Sequence, residues 1–271
     1  MHIVEETRGL IHAERRVPLS PSVAVVTASV DAGEALLETR VELTSRGDRF
    51  PWTLWHAEGN STGRLVIFQT GLGRCIDSAH RATVRRLLDR GLSVATLDWP
   101  LHGPRHSPKL SARLLKAIEV TEGDPNGAGL VRYLAQQSAL DLQKGLDWTA
   151  EQTELSTEHI ALLGPAAAAP LLILFAALEP RASVLALQGD PLPSPGPLPD
   201  PVELLTESGL DSMLWLSPHP TTPASQTWAE ALRQSCPGKF SSEEAAGMNP
   251  GRPIAAASAL RVCEFIDQAL T

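Results

Sequence analysis

Three stretches of this 271-residue chain carry residue types that do chemistry. Asp98, His102 and His106 stand within nine residues, and Cys75 lies upstream of them. A cysteine within hydrogen-bond reach of a histidine would give a thiolate nucleophile and its base. His219 sits between Pro218 and Pro220 and is the last histidine of the chain. The third stretch is Gly164-Pro165-Ala166-Ala167-Ala168. A short apolar strand, His159 to Leu163, precedes it, and an apolar helix running to about Leu178 follows. Strand, sharp turn and helix form the setting that presents a nucleophilic serine in G-x-S-x-G. Here that position is Ala166, and a methyl group cannot attack a carbonyl. The backbone N–H of Ala167 and the positive end of the helix remain, and both favour a carbonyl or carboxylate oxygen.

Composition narrows the function classes. The net charge of −8 argues against nucleic acid, which needs clustered Lys and Arg. Arg81, Arg85, Arg86 and Arg90 fall on one side of a single helix and read as a solvated face. Cys75, Cys236 and Cys263 are far apart and odd in number, so no disulfide framework is expected and a reducing, cytoplasmic setting is. The acidic opening Met1-His2-Ile3-Val4-Glu5-Glu6 does not read as a signal peptide. The uncharged run Ile160–Leu178 approaches bilayer length, but Gly164, Pro165 and Pro170 break it, so no membrane span is expected. No Cys-x-x-Cys pair or Walker pattern occurs, and Gly71-Leu72-Gly73 is too short for a dinucleotide fingerprint. No metal or cofactor is expected.

The elements that must position these residues alternate. Residues 1–38 carry weak patterns, with a possible strand over Val23–Val30, and read as an N-terminal extension to a domain spanning 39–271. Arg40–Thr44 and Phe50–His56 read as a hairpin about Ser45–Arg49. Trp52 and Trp55, an odd number of residues apart, would point to opposite faces, leaving one exposed. Arg64–Gln69, Leu92–Leu97, His159–Leu163, Ala182–Leu187 and Ser212–Leu216 are apolar runs, as expected of strands buried on both faces. Lys239–Glu244 is a poorer last strand. Helices are predicted over Ser78–Arg90, Leu130–Thr149, Ala167–Leu178, around Val202–Glu207, over Ala224–Arg233 and over Ile254–Leu270. Residues 99–128 and the proline-rich Pro191–Pro201 read as irregular. Such alternation predicts an α/β protein with a mostly parallel, doubly wound sheet and an antiparallel leading hairpin.

From about Thr39 onward this order resembles the α/β-hydrolase fold, in its bacterial dienelactone-hydrolase and acetylesterase-like branch. Ser45-Arg46-Gly47-Asp48 looks like that family's S-x-G hairpin. Phe68-Gln69-Thr70-Gly71-Leu72-Gly73 looks like its HG-x-G loop. Asp98-Trp99-Pro100-Leu101-His102-Gly103-Pro104-Arg105 resembles its D-x-P-x-H-G-x-R turn, and His159–Ala168 its nucleophile elbow. The resemblance implies a Ser, acid, His triad. The matching positions are Ala166 for the nucleophile, His219 for the acid and Asn249, in Ala246-Gly247-Met248-Asn249-Pro250, for the base. Thr70 stands where the family has histidine. The Leu72 and Ala167 amides would form the oxyanion hole, with Thr70 and His102 lining a pocket. The expectation is a pseudo-hydrolase that works by binding a protein partner or a small carbonyl or carboxylate ligand, as subunit, scaffold or sensor. The alternatives are an esterase-like hydrolase, or a lyase or isomerase using the oxyanion donors with His219 or His102 as base.

Overall fold

The computed structural model describes residues 2–19, 21, 24–31, 34–57, 64–71, 78–119, 125–153, 155–189, 201–218, 223–236, 238–245 and 256–271. In chain order the elements are α1 (His2–Glu14), β1 (Ala24–Asp31), β2 (Glu34–Ser45), β3 (Asp48–Ala57), β4 (Leu65–Phe68), α2 (Ser78–Leu88), β5 (Ser93–Leu97), α3 (Pro108–Glu119), α4 (Pro125–Gln152), β6 (Ile160–Pro165), α5 (Ala169–Leu178), β7 (Ala182–Gln188), α6 (Pro201–Leu205), β8 (Ser212–Pro218), α7 (Pro223–Ser235), β9 (Phe240–Ala245) and α8 (Ala256–Ala269). Nine strands make one sheet in the order β1-β2-β3-β5-β4-β6-β7-β8-β9. β1, β2 and β3 are antiparallel, β3 joins β5 antiparallel, and the rest is parallel.

Two differences from the sequence reading concern helices. Residues 99–128, read as irregular, contain α3 and the start of α4. Both begin on proline, which fits the first helical turn because its missing N–H would be unpaired there anyway. The extension carries α1, absent from the sequence reading, and β1, on the strand expected over Val23–Val30; β2 starts at Glu34, ahead of the predicted Arg40. The β2–β3 turn is a two-residue hairpin with Arg46 and Gly47 at φ 50° and 81°, the geometry whose twist matches the flanking strands.

The sheet separates two cores. Leu65 and Ile67 of β4 face the layer of α1, α3, α4, α5, α6 and α7; Val66 and Phe68 face α2 and α8. This alternation corrects the expectation for the tryptophans. Trp52 and Trp55 do point to opposite faces, but helices cover both, and both rings are buried. Trp52 lies against Gly145 of α4 and donates from Nε1 to Thr149 Oγ1 at 3.1 Å. A helix that is apolar all round must be enclosed, and α5 (APLLILFAAL) is buried from Ala169 through Ala177.

α1 and the residues just after it are fastened to α4 and to the end of α5 by charge. Lys144 of α4 donates to the Val17 carbonyl at 2.9 Å. Arg181, after α5, reaches Glu179 Oε1 at 2.6 Å and Asp147 Oδ1 at 2.9 Å. Arg15 adds contacts to Asp147 at 3.3 Å and Glu179 at 3.6 Å. Burial alone would raise the Glu179 pKa, but the Arg181 hydrogen bonds and charge outweigh it and hold the carboxyl below its ordinary range.

Candidate functional site

Ala166 is at the heart of the region that sequence reasoning singled out. β6 ends at Pro165 in an extended conformation (φ −68°, ψ 151°), and Ala166–Ala168 form one 3-10 turn before α5 begins. Ala166 has no exposed surface, Ala168 has none, and Ala167 is partly exposed. A catalytic elbow holds its serine on strained backbone. Among the described residues only Arg46 and Leu101 combine a side chain with positive φ, so Ala166 sits on relaxed backbone. Gly164 is kept small by packing. A Cβ there would fall 2.9 Å from Leu172 Cδ1 and 3.3 Å from the Gln69 carbonyl oxygen. Gly71 lies beside Pro165, where a Cβ would come to 3.4 Å from the ring, an ordinary contact.

The turn after β5 is pinned by three anchors. Trp99 Nε1 donates to the Thr70 carbonyl at 2.8 Å, tying this turn to the end of β4. Ser111 Oγ of α3 donates to the Leu101 carbonyl at 2.6 Å. Arg105 donates to Asp98 O at 3.3 Å and Asp141 Oδ2 at 2.6 Å, and its guanidinium lies 5.8 Å from the centre of the Phe50 ring. Asp141 has no exposed surface and also accepts from Gln137 Nε2 at 2.8 Å. Burial pushes its carboxyl up to about 6 despite the opposing charge and hydrogen bond of Arg105. Gly103 has φ 51°, and a Cβ there would meet the Asp98 carboxyl at 2.9 Å. Gly103→Ala should therefore lose about 1–2 kcal/mol from backbone strain alone, with more from the contact; urea denaturation reads it.

Solved esterases superpose on this chain over most of its length. The acetyl xylan esterase from Paenibacillus superposes with a TM-score of 0.66 over 98% of this chain and 93% of that one, at 14% identity. The chain has the α/β-hydrolase fold. A cold-adapted esterase from an Arctic intertidal metagenomic library (TM-score 0.63, 15% identity, 90% and 98% covered) is similar too. So is a dienelactone hydrolase from Anabaena variabilis (0.61, 15%, 86% and 95%). No protein-family model matches the sequence, and no curated relative does.

On this α/β-hydrolase frame the predicted site residues divide. Thr70, His102, Ala166 and Ala167 stand at the C-terminal ends of β4, β5 and β6, the edge where open α/β sheets hold ligands. Leu72, Cys75, His219 and Asn249 lie outside the described residues, as does most of the proline-rich loop. His102 is buried and bonds through Nδ1 to the Pro100 carbonyl at 2.7 Å. Desolvation lowers its pKa, which keeps the ring neutral. His102 and His106 are four apart, but a 3-10 turn over Gly103–Arg105 separates them, and among the described residues no three metal-ligating side chains cluster. No helix among the described residues is long and apolar enough to cross a membrane.

Two site features escaped the sequence reading. Gln69 and Gln188 end the apolar runs of β4 and β7, are fully enclosed, and have no side-chain partner. An apolar run that stops on a buried amide was the available signal. The second is a cavity of about 350 Å³ between α7 and the β8–β9 ends, lined by Trp215, Ser217, Glu230, Arg233 and Glu244 among others. Its lining includes none of the elbow residues.

Proposed function

We propose that this protein, built on the α/β-hydrolase fold, is no longer a serine hydrolase and acts by binding at the C-terminal edge of its sheet. The observation that carries the reading is Ala166: the nucleophile position holds a methyl group, enclosed, on relaxed backbone. Loss of the nucleophile alone costs a serine hydrolase on the order of 10⁶ in turnover. The edge then serves a sensor of small molecules, or a subunit of an assembly. Residues 39–271 carry the site, and Arg15 and Val17, just after α1, tie the N-terminal segment to α4 and to the end of α5. The buried thiols Cys236 and Cys263 fit a reducing, cytoplasmic compartment.

The second reading is an enzyme of the hydrolase superfamily. The similar structures named as esterases and hydrolases favour it. So does His102, whose buried neutral ring would suit the base of a lyase or isomerase.

The two separate on turnover. The wild-type chain and Ala166→Ser are assayed with p-nitrophenyl acetate and a serine-directed fluorophosphonate. Neither is expected to turn over or label, because a serine at 166 would be enclosed like the alanine it replaces. Saturable turnover by the wild-type chain that disappears on changing one residue would sink the binding reading.

A further inference from the structure

A helix laid over a parallel sheet meets apolar side chains, because such strands are covered on both faces. Under α7 that pattern fails at the edge of the sheet. Strand alternation turns Phe240, Ser242 and Glu244 of β9 towards α7. It turns Glu243 the other way, where Arg261 of α8 holds it at 2.6 and 2.9 Å. Phe240 packs against the apolar layer, but Ser242 and Glu244 do not continue it. Protein interiors are otherwise close-packed. Short and polar side chains facing one another here leave the cavity of about 350 Å³ between α7 and the ends of β8 and β9.

The lining combines an apolar wall with charge mostly of one sign. Trp215 of β8 and Ala229 of α7 supply the wall. Among the described residues that line the cavity, three are carboxylates, Glu230, Glu243 and Glu244, and one is a guanidinium, Arg233. Arg233 is already engaged: it donates to Glu230 and, at 3.5 Å, to Ser242 Oγ, and lies 6.0 Å from the centre of the Phe240 ring. A hydrogen bond from Gln234 and the charge of Arg233 hold the Glu230 carboxyl below its usual range. Arg261 does the same for Glu243, so both are ionised at neutral pH. An entering anion meets three like charges and a guanidinium that is already held. A cation meets acceptors on two walls, Glu230 from α7 and Glu244 from β9. The net charge of −8 acts in the same direction.

We infer that this cavity binds a small aliphatic amine in its ammonium form, with N–H donors to Glu230 and Glu244 and the carbon chain against Trp215 and Ala229. Its volume of about 350 Å³ is at the lower end for ligand pockets, which suits a molecule the size of a diamine. Ser217 and Glu244 place its upper end at the C-terminal edge of the sheet, where open α/β folds hold ligands. The cavity shares no lining residue with the elbow, so the inference stands apart from any role of Ala166.

The test titrates the full chain with putrescine, with butanediol as its neutral counterpart and with succinate as an anion, by calorimetry and saturation-transfer NMR. Putrescine is expected to bind saturably, butanediol about tenfold more weakly or worse, and succinate not at all. Glu230→Gln and Glu244→Gln should each weaken putrescine about threefold to tenfold, because both carboxylates are partly solvated. Ala229→Leu fills the cavity without changing its charge and should weaken putrescine as well. Glu158→Gln, exposed in the loop before β6, should leave binding unchanged. The inference fails if butanediol or succinate binds as tightly as putrescine, or if wild type gives no saturable signal. It fails too if Ala229→Leu leaves putrescine binding intact. An effect of Glu158→Gln as large as that of Glu244→Gln would overturn it as well, by showing diffuse attraction to an acidic surface.

Discussion

Gly145→Ala is expected to destabilise the protein by about 2–3 kcal/mol, against the usual gain from removing a helical glycine. Replacing Gly by Ala inside a helix stabilises by roughly 0.5–1 kcal/mol when nothing is in the way. At Gly145 a Cβ would fall 2.2 Å from Trp52 Cε3 and 2.5 Å from Cδ2. Those are ring atoms of a fully buried tryptophan tied to Thr149, so the far end of a flexible chain cannot swing aside. Overpacking of this kind costs about 1–3 kcal/mol and at times more. The internal control is Gly129 on the same helix, where a Cβ meets nothing within 4 Å. Gly129→Ala should show the ordinary gain. Urea midpoints of the two variants, followed by far-ultraviolet circular dichroism, should move in opposite directions. A midpoint for Gly145→Ala at or above wild type would show that α4 does not press on Trp52.

The second large effect belongs to Asp141. Removing one partner of a buried pair leaves the other charge enclosed and uncompensated, at a cost of about 3–5 kcal/mol. At neutral pH Asp141→Ala should cost less than that range, about 1–3 kcal/mol, because it strips Arg105 and Gln137 of an acceptor while removing an ionised group that burial disfavours. Replacing both ends with apolar residues, Arg105→Met with Asp141→Leu, should recover most of the loss, because the desolvation of two charges disappears together. The pH dependence carries its own sign. The folded-state pKa of about 6 lies above the ordinary 3.8, so the folded protein holds this proton more tightly than the unfolded chain does. Stability therefore rises as pH falls from about 6 towards 3.8, and the cost of the ionised group is fully present above 6. Asp141→Asn should flatten that segment of the stability curve. An unchanged slope would show that another group titrates there.

Much of this fold was legible because its central strands leave little choice. LVIF, SVATL and ASVLALQ are apolar on both faces, which only a doubly covered sheet accommodates. The misses have local causes. α1 buries Ile3, Val4, Thr7 and Ile11, and a threonine in the stripe with Gly9 beside it blurs the helical period. α3 buries only Ser111 and Leu114 in its first two turns, too narrow a stripe to stand out between prolines. At the site, the missing serine could be read directly at Ala166. Its relaxed backbone could not, since φ at an alanine follows from how Pro165 and the 3-10 turn pack. Nor could the tautomer of His102, which depends on one carbonyl two residues away.

The charged fastening of α1 also sets a timetable. The groups that hold residues 2–17 arrive much later in synthesis: Lys144 and Asp147 on α4, then Glu179 and Arg181 after α5. At about 5–20 residues per second, α1 waits on the order of 10–30 s on the ribosome before its docking surface exists. Through that interval its apolar stripe, Ile3, Val4 and Ile11, lacks α4 and α5, the helices α1 packs against. The β1–β2–β3 ribbon closes locally within the same period, from residues 24–57 alone. The nascent chain thus carries a locally paired β1–β2–β3 ribbon and an undocked helix together.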